Sequence, residues 1–257
     1  MSNPLALTDR VIIITGGAQG IGRALAEFCL SMGARVALID IDSGTLQRTV
    51  AELGSQAVRG FSGDITNESF VREMLDATVK HFGDVHGLIN NAGIVRAAMA
   101  HKMTTAQWQQ VIDVNLTGAF LCLRAVGEHF INKAAGGDPR PGRIVNVSSD
   151  AGRRGSFGQI NYGAAKAGVL GLTMSAAREW GRYHINVNSV CFGMVETTMT
   201  ETVRSDKFKD RYLEQIPLKR FALPQEVAPA TCFLLSDAAS YITGQHLSID
   251  GGFHITA

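Results

Sequence analysis

Tyr162 and Lys166, in the stretch NYGAAKAG, stand four positions apart, a spacing that puts both side chains on one face of a helix. A tyrosine with its ordinary pKa of about 10 is a poor acid–base group at neutral pH, but a neighbouring ammonium favours the phenolate and lowers that value. Taken alone, the pair is also an ordinary helix-surface Tyr/Lys. Thirteen residues before the tyrosine, GRIVNVSS ends a strand-like run and delivers Ser148 and Ser149 to a sheet edge. A glycine-rich stretch, TGGAQGIG at 15–22, reaches the same edge directly after RVIII and opens a helix with apolar positions Ile21, Leu25 and Phe28. Gly16, Gly20 and Gly22 let the chain turn tightly from strand to helix and let a pyrophosphate approach backbone N–H groups; the alternative is a plain tight turn. The spacing Gly16-x3-Gly20-x-Gly22 differs from the commoner GxGxxG.

About twenty residues on, the second strand ends in Asp40, placed to accept hydrogen bonds from the adenosine ribose hydroxyls, or else simply a solvated loop aspartate. Facing a ribose, it would repel a 2′-phosphate by ~4 kcal/mol per unit charge at an effective dielectric of about 20. Neither Gln19 nor Ile41 offers a compensating cation, so NAD(H) is expected over NADP(H).

These residues need a scaffold, and short β-branched runs alternate with longer helical patterns along the chain. RVIIIT, RVALID, AVRGFS, VHGLIN, GRIVNVSS, INVNSV and HLSID are seven candidate strands. Helices are predicted over about 20–32, 43–53, 67–82, 104–132, 160–182 and 225–235. Strands that are apolar throughout belong to a parallel sheet covered on both faces. The prediction is therefore an α/β, Rossmann-type doubly wound sheet of about seven parallel strands, with residues 1–257 forming one domain and no linker or repeat. The loop AAGGDPRPG and the segment 194–222 break the rhythm; the second, after a strand's carboxyl end, is expected to be a substrate lid whose Phe208, Tyr212 and Leu213 line a pocket or pack on the body.

Composition narrows the classes further. Twenty-four Lys and Arg against 23 Asp and Glu, without a basic block, argue against a nucleic-acid or anionic-membrane partner. Four dispersed cysteines with no CxxC and seven histidines without HExxH spacing suggest neither a redox dithiol nor a metal site. The start lacks the features of a signal peptide, and no stretch approaches the ~20 apolar residues of a membrane span, so a cytoplasmic protein is expected.

Jointly, TGGAQGIG, Asp40, GDIT at 63–66, NNAG at 90–93, DVNLTG at 113–118, NVSS, YGAAK and GQHLSIDGG resemble the short-chain dehydrogenase/reductase family over essentially the whole chain. The resemblance implies hydride transfer between nicotinamide C4 and a carbonyl or carbinol carbon, with Tyr162 giving or taking the oxygen's proton. It implies that Lys166 binds the nicotinamide ribose and lowers the tyrosine pKa, that Ser149 rather than Ser148 bonds the substrate carbonyl, and that Asn115 holds a water for proton resupply. Asp64 and Ile65 match the adenine contacts, and Asn91, Ala92 and Gly93 the loop beside the adenine ribose. Gly193, Val195 and Thr197 match the turn and carboxamide contacts of a motif that usually reads PGxVxT. Asparagines such as Asn90 and Asn115 can equally just satisfy backbone groups. The family's usual assembly implies a homotetramer.

The overall flavour is that of 3-oxoacyl-[acyl-carrier-protein] reductases, so a 3-oxoacyl thioester is one expected substrate. Asp40 is unusual for those enzymes and points instead to an NAD-linked dehydrogenase of a small, cyclic or steroidal secondary alcohol. A cofactor-binding regulator without activity is a third reading, opposed by all four catalytic-type positions being filled. An acidic carrier protein would need cations near the mouth, for which Arg140, Arg143, Arg153, Arg154 and Arg182 are candidates. Phe192 stands where that motif has proline: either a packing substitute or a residue that loosens the loop and reshapes the pocket wall.

Overall fold

The computed structural model describes residues 3–255 apart from Ser55 and Lys207. A strand covered on both faces must be apolar throughout, and all five residues of β1 (Val11–Thr15) are buried. Its side chains alternate, so Ile12 and Ile14 enter one core while Val11 and Ile13 enter the other. With it pair β2 (Arg35–Asp40), β3 (Val58–Ser62), β4 (Gly87–Asn90), β5 (Arg143–Ser149), β6 (Asn186–Phe192) and β7 (His246–Ile249). They form one parallel sheet in the order β3-β2-β1-β4-β5-β6-β7. Strand order reverses between β1 and β4, which opens a crevice at the carboxyl ends of the two strands.

One face carries α1 (Gly20–Ser31), α2 (Ser43–Leu53) and, far along the chain, the apolar side of 224–233; the other carries α3 (Glu68–Phe82) and the helices after β4 and β5. Local chemistry sets several ends. Asp42 caps α2 by accepting from Thr45 N (3.0 Å), Asn67 caps α3 by accepting from Ser69 N and Phe70 N, and Gly83, at φ 91°, closes α3.

The helix predicted over 104–132 is divided. α4 (Thr105–Ile112) and α5 (Ala119–Ala135) are joined by a π-helical turn, Asp113–Gly118. Gly118, at its end, leaves room for Ile65: an added Cβ would lie 2.8 Å from that side chain. A short α6 (Ala151–Arg154) precedes α7 (Ile160–Trp180), whose position is fixed by a buried polar chain across the sheet. Asn90 Nδ2 donates to Asn146 Oδ1 (2.9 Å), and Asn146 Nδ2 donates to Thr173 Oγ1 (2.9 Å). The segment after β6 holds α8 (Glu201–Arg204) and α9 (Lys209–Gln215) before α10 (Pro224–Phe233). Its two ends are stitched together, with Glu196 N donating to Ala222 O and Ala222 N to Met194 O.

Candidate active site

A cavity of about 740 Å³ follows the carboxyl ends of the strands from Asp40 to Tyr162. At one end, the β1–α1 turn takes left-handed φ at Gly16 (64°) and Gly20 (56°), conformations that glycine reaches without strain. Gly22 permits the closest approach in the turn, since an added Cβ would sit 1.9 Å from Gly16 O. Gln19 makes no side-chain cap, so the chain itself leaves first-turn N–H groups of α1 for a ligand. That cradle fits a dinucleotide pyrophosphate. Asn91 holds it from below, donating from Nδ2 to Thr15 O (3.0 Å) and Gly16 O (3.1 Å), while Thr15 Oγ1 accepts from Asn91 N and Ala92 N.

Asp40 is fixed at the end of β2, its two oxygens accepting from Ala18 N (3.0 Å) and Asp42 N (3.1 Å). Gln19, Ile21, Ile41, Asp64, Ile65, Ala92 and Gly93 share the cavity wall with it. Asp42 lies there too, and among the described residues the only cations of the wall are Arg96 and Lys166.

At the other end, β5 and α7 bring Ser149, Tyr162 and Lys166 to one place. The two serines separate cleanly: Ser148 Oγ donates to Lys166 O (2.8 Å), whereas Ser149 hydrogen-bonds Tyr162. Lys166 is buried, with Nζ donating to Val147 O (2.7 Å), and burial pulls its pKa down to about 8. Burial pushes the Tyr162 phenol up, and the bond with Ser149 only partly opposes it. This is the reverse of the direction expected from the Tyr/Lys spacing. The lysine amine lies 5.7 Å from the tyrosine ring centroid and is directed at a carbonyl, so loss of solvent dominates.

Asn115 sits in the π turn, and its amide clamps the Ile94 peptide, accepting from Ile94 N (2.8 Å) and donating to Ile94 O (3.0 Å). Gly93 fills the gap between it and the lysine: an added Cβ would lie 3.4 Å from Asn115 Oδ1 and 3.6 Å from Lys166 Nζ. Asn115 is thus behind the wall rather than in it.

Gly193, Val195 and Thr197 join the wall beyond β6. Phe192 is buried in the core, pairs with Ser149 and Ile249 in the ladder, and accepts from Asp150 N (3.0 Å). It is a packing residue that also presents a surface to the cavity, held by strands on both sides. Tyr212 and Leu213 pack with Ile216, Phe221 and Phe253, and neither they nor Phe208 belong to the wall. Residues 198–200 supply it instead.

The five candidate docking arginines are dispersed. Arg140 and buried Arg143 converge on Asp237 near the amino ends of the strands, Arg153 donates to the His246 carbonyl of β7, Arg154 lies over the Phe253 ring in the carboxyl-terminal turn, and Arg182 bonds Tyr183. Asn161 is a positioning residue that the sequence did not single out. Fully buried, it donates from Nδ2 to Arg96 O and Gln107 O (both 3.0 Å) and accepts Tyr162 N–H (2.8 Å) at Oδ1. Its place directly before the tyrosine was the available signal. Asp250 was passed over as well: it organises the turn that packs on Gly193, where an added Cβ would meet its Cα at 2.8 Å.

The family model described as enoyl-(acyl carrier protein) reductase matches residues 16–254. The chain is 40% identical over 253 residues to a 3-oxoacyl-[acyl-carrier-protein] reductase of Thermotoga maritima, covering 98% of this chain and 100% of the relative. It is 38% identical over 252 residues to an acetoacetyl-CoA reductase of Synechocystis, covering 97% and 98%. The crystal structure of a levodione reductase superposes with a TM-score of 0.90 at 35% identity, covering 97% of this chain and 99% of that one. Likeness of this extent in both sequence and sheet makes the chain a member of the short-chain dehydrogenase/reductase family, and an oxidoreductase.

Proposed function

We propose that the protein is an NAD(H)-dependent reductase of 3-oxoacyl thioesters in which Tyr162 is the acid–base residue. The observation that carries this reading is the meeting of Ser149, Tyr162 and Lys166 at the head of one cavity whose far end is closed by Asp40. A bound nicotinamide dinucleotide supplies the hydride to the carbonyl carbon. The chain does the rest. Ser149 and Tyr162 hydrogen-bond the carbonyl oxygen, and Tyr162, kept as a phenol by burial, hands its proton to that oxygen as negative charge develops. Lys166 carries positive charge below about pH 8 and stabilises the phenolate left behind. Asn115 keeps the Ile94 peptide, and with it Gly93, beside the lysine, on the side from which protons return.

In the same reading, Gly16, Gln19, Gly20, Ile21 and Gly22 hold the pyrophosphate, while Asp40 and Ile41 flank the adenosine ribose. Asp64, Ile65, Asn91, Ala92 and Gly93 frame the adenine half, and Gly193, Val195 and Thr197 meet the carboxamide. Asp40 and Asp42 together support NAD(H): two carboxylates and no cation of the wall stand at that end. Residues 1–257 act as one catalytic domain with 194–222 as its lid. Exposed Trp108, Phe120 and Met174 on the long helices are consistent with assembly as a homotetramer. The likeness to levodione reductase favours a second reading, an NAD-linked dehydrogenase of a cyclic secondary alcohol.

A panel assay separates the readings. NADH and NADPH are each followed with an acetoacetyl thioester and with cyclic ketones; thioester turnover with NADH supports the proposal. A preference for NADPH would refute the role given to Asp40, and turnover of cyclic ketones alone would move the substrate to the second reading.

A further inference from the structure

Among the described residues the cavity wall holds two aromatic side chains, Tyr162 and Phe192, and the proton chemistry uses only the first. Phe192 ends β6 at the position where the motif it resembles has proline, so an aromatic ring stands in place of a saturated one. Its backbone is pinned on both sides, by pairing with Ser149 of β5 and Ile249 of β7, and its carbonyl accepts Asp150 N–H (3.0 Å). The side chain is 5% exposed, in the core that contains Val147, Val190 and Val195. Phe192 is therefore a fixed part of the wall. Neighbouring strands lie about 4.8 Å apart, which sets its backbone one strand spacing from Ser149. Hydride transfer needs its two carbons about 3–3.5 Å apart, so with the carbonyl held by Ser149 the reacting end of the dinucleotide must reach the Phe192 side of the cavity.

Resting on the nicotinamide-dependent reading above, we propose that Phe192 discriminates between the two redox states of the cofactor, holding NAD+ more tightly relative to NADH than an aliphatic residue would. In the reductive direction the dihydronicotinamide passes a hydride to the carbonyl carbon, Tyr162 gives its proton to the oxygen, and the ring is left as a pyridinium cation. An aromatic face attracts a cation more strongly than it attracts a neutral ring, so Phe192 assists the departure of the hydride. Proline at this position offers no such face. Lys166 opposes the same cation, but its charge is common to the wild type and to every variant of residue 192, so a comparison at 192 isolates the ring.

The test is a pair of dissociation constants, for NADH by quenching of protein fluorescence and for NAD+ by competition, on the wild-type chain and on Phe192→Leu. The expected result is a fall of about three- to tenfold in the affinity for NAD+ relative to NADH. A tenfold fall corresponds to a rise of about 30 mV in the two-electron potential of the bound cofactor. A loosened turn, or the space left by leucine, weakens both states together and leaves the ratio where it was. Phe192→Pro, which restores the usual motif, should show the same fall, and Phe192→Met replaces leucine in the comparison if circular dichroism shows the leucine chain unfolded. An unchanged or rising ratio overturns the role of Phe192 and leaves the reductase reading intact. A wild-type chain that binds NADP(H) and not NAD(H) refutes the part given to Asp40, and the same ratio taken with NADP+ and NADPH then decides Phe192. A chain that binds no nicotinamide dinucleotide overturns both.

Discussion

Tyr162 and Lys166 show what a spacing of four residues leaves undecided. The spacing places the pair on one helix face, but the direction of each pKa follows from what surrounds it. Burial raises the phenol and lowers the ammonium to about 8, so below that pH the site holds a protonated donor next to a positive charge. The lysine value is depressed, so its charge is present below about pH 8 and is lost as pH rises through it. Reductive kcat is therefore expected to fall above about pH 8 in the wild type, and a rate profile of Lys166→Met should lack that limb. The two serines diverge for a similar reason. Ser149 faces the tyrosine and Ser148 the lysine carbonyl, so Ser149→Ala should cost about 100-fold in kcat with cofactor affinity near the wild-type value. Retention of the full rate by that variant would remove Ser149 from the proposed mechanism.

At the scale of elements, the β1–α1 turn holds the closest glycine approach among the described residues, 1.9 Å from an added Gly22 Cβ to Gly16 O. Gly22→Ala would bring a methyl group against Gly16 O and displace either the turn or α1. Titration of protein fluorescence with NADH is expected to show affinity lower by at least about tenfold, with the sheet intact by circular dichroism. The seven strands and this turn were legible because both signals are local: apolar β-branched runs for a covered sheet, and glycines where the chain must bend. What remained hidden depends on partners distant in sequence. The π turn at 113–118 ends at Gly118, where the absence of a side chain leaves room for Ile65, about fifty residues earlier. Asn161 acts through carbonyls 54 and 65 residues away, and Tyr212 packs on Phe253 rather than in the cavity. Arg143 reads as a surface cation and is instead buried against Asp237.

For the molecule as a whole, the end of the sheet opposite the cavity is held by charge. Asp84 gathers His129 (2.9 Å), Lys133 (2.6 Å) and His86 (3.4 Å), while His86 Nδ1 accepts Val11 N–H (3.1 Å). Accepting that bond requires an unprotonated Nδ1. Burial, aided by the Lys133 charge and opposed by Asp84, holds the His86 pKa down at about 4. The unfolded chain takes the proton near pH 6.5, so stability is level above that pH and declines as pH falls toward about 4. His86→Asn, which keeps an acceptor for Val11 but does not titrate, should flatten this part of the profile of Tm against pH. An unchanged slope would assign the acid sensitivity to other groups. Asp237 secures the neighbouring corner. Burial would raise its pKa, but the hydrogen bond from Arg143 and the charges of Arg10, Arg143 and Arg140 outweigh that and hold it low. Its contribution is therefore present at neutral pH and lost only in acid.

Proton delivery by Tyr162 is the claim on which the rest depends, and single-turnover reduction of an acetoacetyl thioester by NADH, wild type against Tyr162→Phe, tests it most directly. The account predicts that the variant binds NADH with near wild-type affinity and loses at least about 1,000-fold in the chemical step, general acid–base groups contributing on the order of 100- to 10,000-fold. Hydride transfer by Tyr162→Phe at the wild-type rate would contradict it.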